Sequence, residues 1–215
     1  MLVDGKLATR PAEDVAADAS LVVSEIEAGM VSRGALKLKA ALDAFAFDPA
    51  GLRVLDIGAS TGGFTQVLLE RGAEKVFAVD VGHGQLDVAL AADHRVVSLE
   101  GTDCRRLDLT MIGRPVDAIV ADVSFVSIRI ALADVRDMTR AGAWLVVLVK
   151  PQFEVGRAGI GKGGVVRDGA LREKAVADVA GWLEVSGWTV EGRIVSPIAG
   201  GSGNVEYLVG ARRRD

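Results

Sequence analysis

Charged residues stand at the ends of three apolar segments, where they are costly to bury and therefore informative. WLVVLVK ends in Lys150, AIVAD ends in Asp122, and Glu206 lies at the start of VEYLVGARR. Burying an unpaired ammonium or carboxylate is unfavourable, so each of these groups needs a partner. A lysine beside a carboxylate can act as a base when burial and a cationic neighbour favour its neutral form. These residue types together predict proton-transfer chemistry at one site.

Convergence of the three groups requires a particular sheet. Ligands bind beyond the carboxyl ends of parallel strands, so Asp122 and Lys150 meet there if their strands are adjacent. Glu206 joins them if the last strand is antiparallel, because its start then lies at the same edge. The cationic neighbour has two candidates, Lys37 and Lys39, which helical periodicity does not distinguish. The alternative interpretation is an ordinary salt bridge at the ends of two strands.

A glycine-rich turn follows the first apolar strand in VLDIGASTGGFTQVLL. Gly58, Gly62 and Gly63 permit close approach of a ligand, but their spacing matches neither the dinucleotide fingerprint nor a P-loop. Asp56 ends this strand and Asp80 ends the next, where a carboxylate can accept both hydroxyls of a ribose. The pattern predicts an adenosine ligand without pyrophosphate, of which S-adenosylmethionine (SAM) is the commonest. The alternative is a tight turn that binds nothing.

Periodicity predicts the elements that position these residues. Short apolar runs alternate with helix-like stretches from about residue 53, which indicates a parallel sheet with helices on both faces. LREKAVADVAGWLEVSG predicts a helix with Asp168 as its N-cap, on which Leu171, Ala175, Val179 and Trp182 form one stripe. WTVEGRIVSP and VEYLVGARR predict a terminal hairpin, so the last strand should run antiparallel to its neighbours.

Composition excludes several classes of protein. The 215-residue chain is 50% hydrophobic, and no apolar run approaches the roughly 20 residues of a membrane-spanning helix. The single cysteine, Cys104, excludes an internal disulfide and a cysteine-based zinc cluster; His83 and His94 are isolated, so we expect no metal. A net charge of −4 argues weakly against nucleic-acid binding, although the basic pair Arg105 and Arg106 and the run at 212–214 leave room for local patches. We expect a soluble, cytoplasmic protein.

Seven motifs give the chain a resemblance to a known family. In order they are VSRGALKL (31–38), VLDIGASTGGFTQVLL (54–69), AVDVGHGQL (78–86), ADVSFVSI (121–128), LVKPQFEVGR (148–157), GKGGVVRD (161–168) and SPIAGGSGNVEYL (196–208). With these motifs the chain resembles the TlyA family, also labelled hemolysin A, which belongs with the FtsJ-like ribose 2'-O-methyltransferases. The resemblance implies an α/β, Rossmann-like SAM-dependent methyltransferase fold with a mostly parallel seven-stranded sheet and an antiparallel last strand. It also implies SAM as methyl donor and cytidine ribose 2'-OH groups of ribosomal RNA as targets.

The resemblance also assigns catalytic residues. Lys37, Asp122, Lys150 and Glu206 correspond to a Lys-Asp-Lys-Glu tetrad, which selects Lys37 over Lys39. Lys150 is then the base, Asp122 holds it, Lys37 favours its neutral form and Glu206 orients both lysines.

A cofactor site and an RNA surface complete the prediction. The predicted cofactor-binding residues are Asp56, Gly58, Ala59, Ser60, Gly62, Gly63, Phe64, Asp80, Val81, Asp103 and Asp122. Asp103 stands where the family more often has Thr-Asn. Arg33 and Lys162 are predicted to hold RNA phosphates, with ordinary surface roles as the alternative.

The first 23 residues differ from the rest. Asp4 and Gly5 indicate a hairpin turn and ADASLVV indicates a short strand, and the segment resembles only the closing hairpin of an S4 RNA-binding domain. We therefore predict a remnant of an S4-like domain and a linker at 1–23, and an FtsJ-like methyltransferase domain at 24–215. SAM binding should then persist while RNA affinity is reduced.

Three other functions are alternatives. A nucleotide-dependent oxidoreductase would use a similar sheet but normally carries the dinucleotide fingerprint. A hemolysin or cytolysin-type protein would need an amphipathic basic helix or a membrane-spanning segment. A module that binds SAM or RNA without turnover would have no need of a base beside the methyl donor.

Overall fold

The computed structural model describes residues 29–215 without a gap and, before them, residues 2–3, 6–7, 15–16, 19 and 21–22. The chain divides into two compact units, Met1–Met30 and Val31–Asp215. In the first unit, an antiparallel sheet of order β2-β1-β3 consists of β1 (Leu2–Val3), β2 (Lys6–Leu7) and β3 (Leu21–Val22). This pairing confirms the predicted hairpin and short strand, whereas the turn residues Asp4 and Gly5 lie outside the described residues.

The second unit is built on one seven-stranded sheet of order β6-β5-β4-β7-β8-β10-β9. Its strands are β4 (Arg53–Ile57), β5 (Lys75–Asp80), β6 (Val96–Glu100), β7 (Val116–Ala121), β8 (Thr139–Val149), β9 (Trp188–Val195) and β10 (Tyr207–Arg213). The neighbours from β6 to β8 are parallel, and β10 runs antiparallel to both β8 and β9. The predicted mixed sheet with an antiparallel last strand is confirmed.

Helices cover both faces of this sheet. They are α1 (Gly34–Phe45), α2 (Gly63–Glu70), α3 (Val88–Ala91), α4 (Leu109–Ile112), α5 (Ile128–Ala131), α6 (Pro151–Glu154) and α7 (Gly169–Val185). Successive side chains of a strand point to opposite faces. Tyr207 and Val209 pack in one buried cluster with residues of α7, whereas Gly210 lies against the Phe45 ring of α1, so α1 and α7 lie on opposite faces. None of the helices in the described part of the chain combines the length and the apolar character needed to cross a bilayer.

The long helix α7 begins where the sequence predicts but is turned slightly. Asp168 accepts hydrogen bonds from the backbone N–H groups of Ala170 at 2.8 Å and Leu171 at 3.4 Å, as an N-cap does. The buried residues of the helix are Ala175, Val176, Val179 and Leu183. The predicted stripe agrees with this face: Ala175 and Val179 are buried, whereas Leu171 and Trp182 at its ends are half-buried, and Trp182 packs against the core cluster. The face that packs on the sheet is broader than one row of side chains and is centred on a neighbouring row.

Strand order determines where the charged side chains lie. β7 and β8 are parallel neighbours, and β10 pairs with β8 so that its first residue, Tyr207, lies opposite Val149 at the end of β8. Asp122 and Lys150 follow β7 and β8 directly, and Glu206 directly precedes β10. The two conditions for convergence, adjacent strands for Asp122 and Lys150 and an antiparallel last strand for Glu206, are met, and the three residues stand at one edge of the sheet.

Candidate active site

Two cavities lie at this edge of the sheet and share the lining residues Gly58, Ser60 and Asp122. The larger has a volume of about 640 Å³, within the roughly 300–1,000 Å³ typical of small-molecule sites. The smaller has a volume of about 230 Å³. Predicted cofactor residues that line only the larger cavity are Asp80, Val81 and Asp103. Those that line only the smaller cavity are Ala59, Gly63 and Phe64.

Asp80, at the end of β5, is held firmly in the wall of the larger cavity. Its Oδ2 accepts a hydrogen bond from the Ser60 N–H at 2.8 Å, and its Oδ1 accepts one from the Gly82 N–H at 2.8 Å. A carboxylate oxygen can accept more than one hydrogen bond, so capacity for ribose hydroxyls remains. Glu100 fixes the following loop by accepting hydrogen bonds from the backbone N–H groups of Leu86 and its two predecessors. These bonds lower the pKa of the Glu100 carboxyl, so the loop is held by an ionised group.

Asp103 lines the larger cavity, but its carboxylate already has a partner. The Arg105 side chain donates from Nε to Asp103 Oδ1 at 2.9 Å, and the Arg105 backbone N–H donates to the same oxygen at 3.0 Å. The Arg105 hydrogen bonds lower the pKa of Asp103 to about 2. Any hydrogen-bond donor of a ligand would therefore share this carboxylate with Arg105. Cys104 lines the same cavity, and burial raises the pKa of its thiol.

Two predicted cofactor residues, Asp56 and Gly62, line neither cavity. Asp56 is fully buried, and its Oδ2 accepts a hydrogen bond from Thr65 Oγ1 at 2.6 Å, which ties β4 to α2. Its Oδ1 has no hydrogen-bond partner among the described residues. Burial, partly offset by the Thr65 bond, raises the pKa of Asp56 to about 7, and the charges of Asp122 and Asp80 act in the same direction. Asp56 therefore supports the glycine turn from behind.

Gly58 brings the glycine turn into contact with the loop after β7. Its φ is 82°, and a Cβ at this position would lie 2.4 Å from the carbonyl oxygen of Asp122. Only glycine permits both this conformation and this approach. The backbone N–H of Asp122 donates to Ile57 O at 2.9 Å on the other side of the same contact. The turn and Asp122 thus form one continuous wall shared by the two cavities.

Lys150 and Asp122 form an ion pair beside the larger cavity. Lys150 Nζ lies 2.6 Å from Asp122 Oδ1, and the side chains are 11% and 22% exposed. The two groups are not aligned as a hydrogen bond, since Asp122 Oδ1 has no hydrogen-bond partner in the described chain. Lys150 Nζ instead donates a hydrogen bond to Ser124 Oγ at 2.8 Å. Both partners of the lysine line the larger cavity, so the amine is paired and close to the ligand space.

Lys37 and Glu206 form a second, more enclosed pair. Lys37 Nζ donates to Glu206 Oε2 at 2.6 Å, and the side chains are 10% and 3% exposed. A Cβ on Gly200 would lie 2.3 Å from Glu206 Oε1, so the glycine loop covers the carboxylate closely. Lys37 lines the smaller cavity together with Asp122. The two ion pairs therefore border the same cavity.

The other predicted basic residues are separated. Lys39 lies 3.3 Å from Glu70 in a partly exposed ion pair and lines neither cavity. Arg33 is exposed, directly precedes α1 and lines the smaller cavity. Lys162 is exposed in the short 3-10 turn Lys162–Gly164 and lines neither cavity.

Sequence reasoning missed Ser124, Phe125 and Asn204. Ser124 accepts the hydrogen bond of the candidate base, and Phe125 is 92% exposed with a φ of 67° at the larger cavity. Asn204 is 2% exposed; it accepts from the Val166 N–H at 3.0 Å and donates to Gly164 O at 2.9 Å. Asn204 thereby anchors the loop that carries Lys162. The available signal was position, because each lies within three residues of a predicted catalytic residue.

The fold and these cavities together define a class. A parallel sheet with one antiparallel strand, and cavities beyond the carboxyl ends of β4 and β5, form a Rossmann-like methyltransferase fold. A solved SAM-dependent methyltransferase from Mesorhizobium loti superposes with a TM-score of 0.60 at 18% identity, covering 81% of this chain and 96% of that one. A likeness at this identity shows the fold alone.

The family follows from the sequence. The model of the FtsJ-like methyltransferases matches residues 30–213, and the chain belongs to this family. The 16S/23S rRNA (cytidine-2'-O)-methyltransferase TlyA of Mycobacterium tuberculosis is 50% identical over 98% of this chain and 79% of its own length. A solved protein from Streptococcus thermophilus that carries the name hemolysin superposes with a TM-score of 0.84 at 41% identity, covering 87% of this chain and 68% of that one. The predicted family resemblance is confirmed, and the oxidoreductase alternative is excluded.

Proposed function

We propose that this protein transfers a methyl group from SAM to the 2'-OH of cytidine ribose in ribosomal RNA. The observation that carries the proposal is the contact of Lys150 with Asp122 and Ser124 beside the cavity that Asp80 also lines. The M. tuberculosis relative, named for this activity, supports the choice of substrate. A ribosomal RNA substrate implies a cytoplasmic location. The proposal also assigns residues 1–23 to an S4-like segment and 24–215 to the methyltransferase domain.

The larger cavity suits SAM in size and in chemistry. Its volume is about 640 Å³, Asp80 retains acceptor capacity for ribose hydroxyls, and Gly58 keeps the turn free of side-chain atoms. Asp103, shared with Arg105, would receive the adenine, and Asp122 would contact the methionine end. When bound, SAM supplies an electrophilic methyl group on its sulfonium.

Lys150 is the base in this mechanism. A ribose hydroxyl is a weak nucleophile and must lose its proton as it attacks. A neutral lysine amine has two N–H bonds and one lone pair. Ser124 Oγ accepts a hydrogen bond from one N–H, and Asp122 attracts the other, which leaves the lone pair for the hydroxyl proton. The ammonium that results is stabilised by Asp122, 2.6 Å away.

Lys37 and Glu206 support that proton transfer from the smaller cavity. Lys37 lines that cavity together with Asp122, and Glu206 keeps Lys37 oriented. Arg33, at the same cavity, and Lys162 would bind backbone phosphates of the RNA. The exposed ring of Phe125 offers a stacking surface to an unpaired base.

The test has two stages on one sample. Purified protein is titrated with SAM by calorimetry, and it is then incubated with labelled SAM and unmethylated ribosomal subunits. We expect SAM binding and label at a cytidine 2'-OH. Binding without transfer would retain the cofactor assignment and overturn the proposed methylation of ribosomal RNA. Failure to bind SAM would overturn the proposal.

A further inference from the structure

Glu154 lies buried where two loops of the site meet. Its side chain is 2% exposed, although its carboxylate has no part in the proposed proton transfer. Oε2 accepts a hydrogen bond from Ser127 Oγ at 2.7 Å, and Oε1 accepts one from the Ile128 N–H at 2.8 Å. Arg129 Nε lies 3.5 Å from Oε2. Glu154 belongs to the segment after β8, and all of these partners belong to the segment after β7.

The contacts between these two segments follow one another in the same order along both of them. We call residues 122–128, which follow β7, the β7 loop, and residues 150–154, which follow β8 and include the short helix α6, the β8 loop. At the inner end, Lys150 contacts Asp122 and Ser124. One step outward, the Phe153 and Phe125 rings lie 5.4 Å apart between centroids. The carboxylate contacts described above close the outer end, so the two loops are joined along their whole length.

The middle of the β7 loop depends on this support. Phe125 has a φ of 67°, a conformation that is uncommon for residues other than glycine. Its ring is 92% exposed, so burial of the ring does not hold the backbone there. The loop is therefore fixed at its two ends, by Gly58 against Asp122 and by Glu154 at the start of α5. Without the second anchor, Asp122 stays held by the glycine turn, but Ser124 can move away from the lysine.

We propose that Glu154 is a positioning residue for methyl transfer, which fixes the β7 loop on the β8 loop and so holds Ser124 against Lys150 Nζ. Its effect on turnover rests on the proposed function. Its effect on the environment of the lysine does not, since that follows from the loop contacts alone.

The kinetic test compares four proteins. Glu154→Ala removes the anchor. Glu154→Gln can keep it, because the amide oxygen accepts from the Ile128 N–H and the amide nitrogen donates to Ser127 Oγ. Asp108→Ala is the matched control, since Asp108 caps the equally short helix α4 by accepting from the Thr110 N–H at 2.8 Å and lines neither cavity.

We expect kcat for labelled rRNA to fall by about 10- to 100-fold in Glu154→Ala, the size of effect that a displaced catalytic group produces. The Kd for SAM should stay within a few-fold of wild type. Glu154→Gln should recover most of the lost kcat, and Asp108→Ala should resemble wild type. If Glu154→Ala does not fold, Ser127→Ala, which removes one of the two hydrogen bonds, should give a smaller loss of the same kind.

A second readout needs no methyl transfer. Trace acylation followed by mass spectrometry gives the labelling rate of Lys150 relative to the exposed Lys162. This ratio should rise several-fold in Glu154→Ala or Ser127→Ala and stay unchanged in Glu154→Gln and Asp108→Ala. Unchanged labelling of Lys150 in both anchor variants would overturn the inference. A wild-type protein that methylates no rRNA would instead overturn the proposed function, and the labelling ratio would still test the anchor.

Discussion

The two lysine–carboxylate pairs of the site have the same N–O distance but different surroundings. Lys150–Asp122 and Lys37–Glu206 both measure 2.6 Å. Asp122 is 22% exposed beside the larger cavity, whereas Glu206 is 3% exposed under Gly200. The two lysines are almost equally exposed, at 10% and 11%, so the difference lies in their carboxylates. A ligand can reach Asp122, which suits the exchange of a proton, whereas the enclosed Glu206 is suited to holding the charge of Lys37 in place.

Removing the reactive lysine should have the largest effect. Lys150→Ala is expected to lower methyl transfer by about 10²- to 10⁴-fold, the usual contribution of a general base, while the Kd for SAM stays within a few-fold. Single-turnover assays with labelled SAM and calorimetry measure the two quantities. Lys39→Ala is the control, because Lys39 pairs with Glu70 away from both cavities. Retained turnover in Lys150→Ala would remove Lys150 as the base.

Breaking the Lys37–Glu206 pair, whose carboxylate is enclosed, should mainly lower the stability of the fold. Glu206→Ala leaves Lys37 buried without a counter-charge, and such a change typically lowers the free energy of unfolding by about 3–5 kcal/mol. Asp122→Ala should lower it less, because the remaining lysine keeps Ser124 as a hydrogen-bond acceptor and adjoins an open cavity. Urea denaturation of both variants gives the difference. Equal losses of unfolding free energy in Glu206→Ala and Asp122→Ala would contradict the distinction between the enclosed carboxylate and the one that a ligand can reach.

Removing the Ser124 hydroxyl, a hydrogen-bond acceptor beside the Lys150–Asp122 pair, should have a smaller effect on turnover. Ser124→Ala deletes the acceptor of the Lys150 hydrogen bond and is expected to lower kcat by about tenfold, as for loss of one hydrogen bond to a charged group. The free energy of unfolding should hardly change, because the site is solvent-accessible. Kinetics of the variant beside Ser186→Ala, a serine at the far end of α7, test this expectation. A kcat equal to that of wild type would show that Ser124 does not contribute to turnover and that, of the two partners of Lys150, Asp122 is the one that does.

Substitution of Asp56, a buried carboxylate without a cationic partner among the described residues, should have the smallest effect on turnover. It should instead change how the free energy of unfolding depends on pH. Its pKa of about 7 exceeds the ordinary 3.8, so between these values the folded protein binds a proton that the unfolded chain does not. Its contribution to stability is therefore complete below about pH 4 and is lost as the pH rises to about 7. Asp56→Asn should flatten the dependence of unfolding free energy on pH over this interval. An unchanged slope in urea titrations at pH 5 and pH 7.5 would contradict the assignment.

The strand ends were predictable because they combine apolar runs with an abrupt charge. That pattern predicted Asp122, Lys150 and Glu206 at one edge, given a parallel sheet with an antiparallel last strand. Periodicity could not choose between Lys37 and Lys39, since two residues apart on a helix is nearly half a turn and only the packing of α1 decides which one faces inward. In the structure Lys37 meets Glu206 and Lys39 meets Glu70.

Residues that connect loops were not predictable in the same way. Ser124 and Glu154 act through contacts between the β7 loop and the β8 loop, which are far apart in sequence and carry no shared pattern. Periodicity predicted the stripe of α7 but not the buried neighbours Val176 and Leu183, because it gives a row of residues and not the width of the packed face. Local sequence thus predicted elements and their ends, whereas side-chain partners across loops depend on the register of the folded chain.

The position of β10 has a consequence for the order in which the molecule assembles. This last strand is inserted between β8 and β9, and the residue before it, Glu206, pairs with Lys37, 169 positions earlier. Contacts of such long range are formed late in folding, because they close a large loop. On the ribosome, therefore, Lys37 stays without its carboxylate partner until Glu206 has been synthesised, 169 residues later.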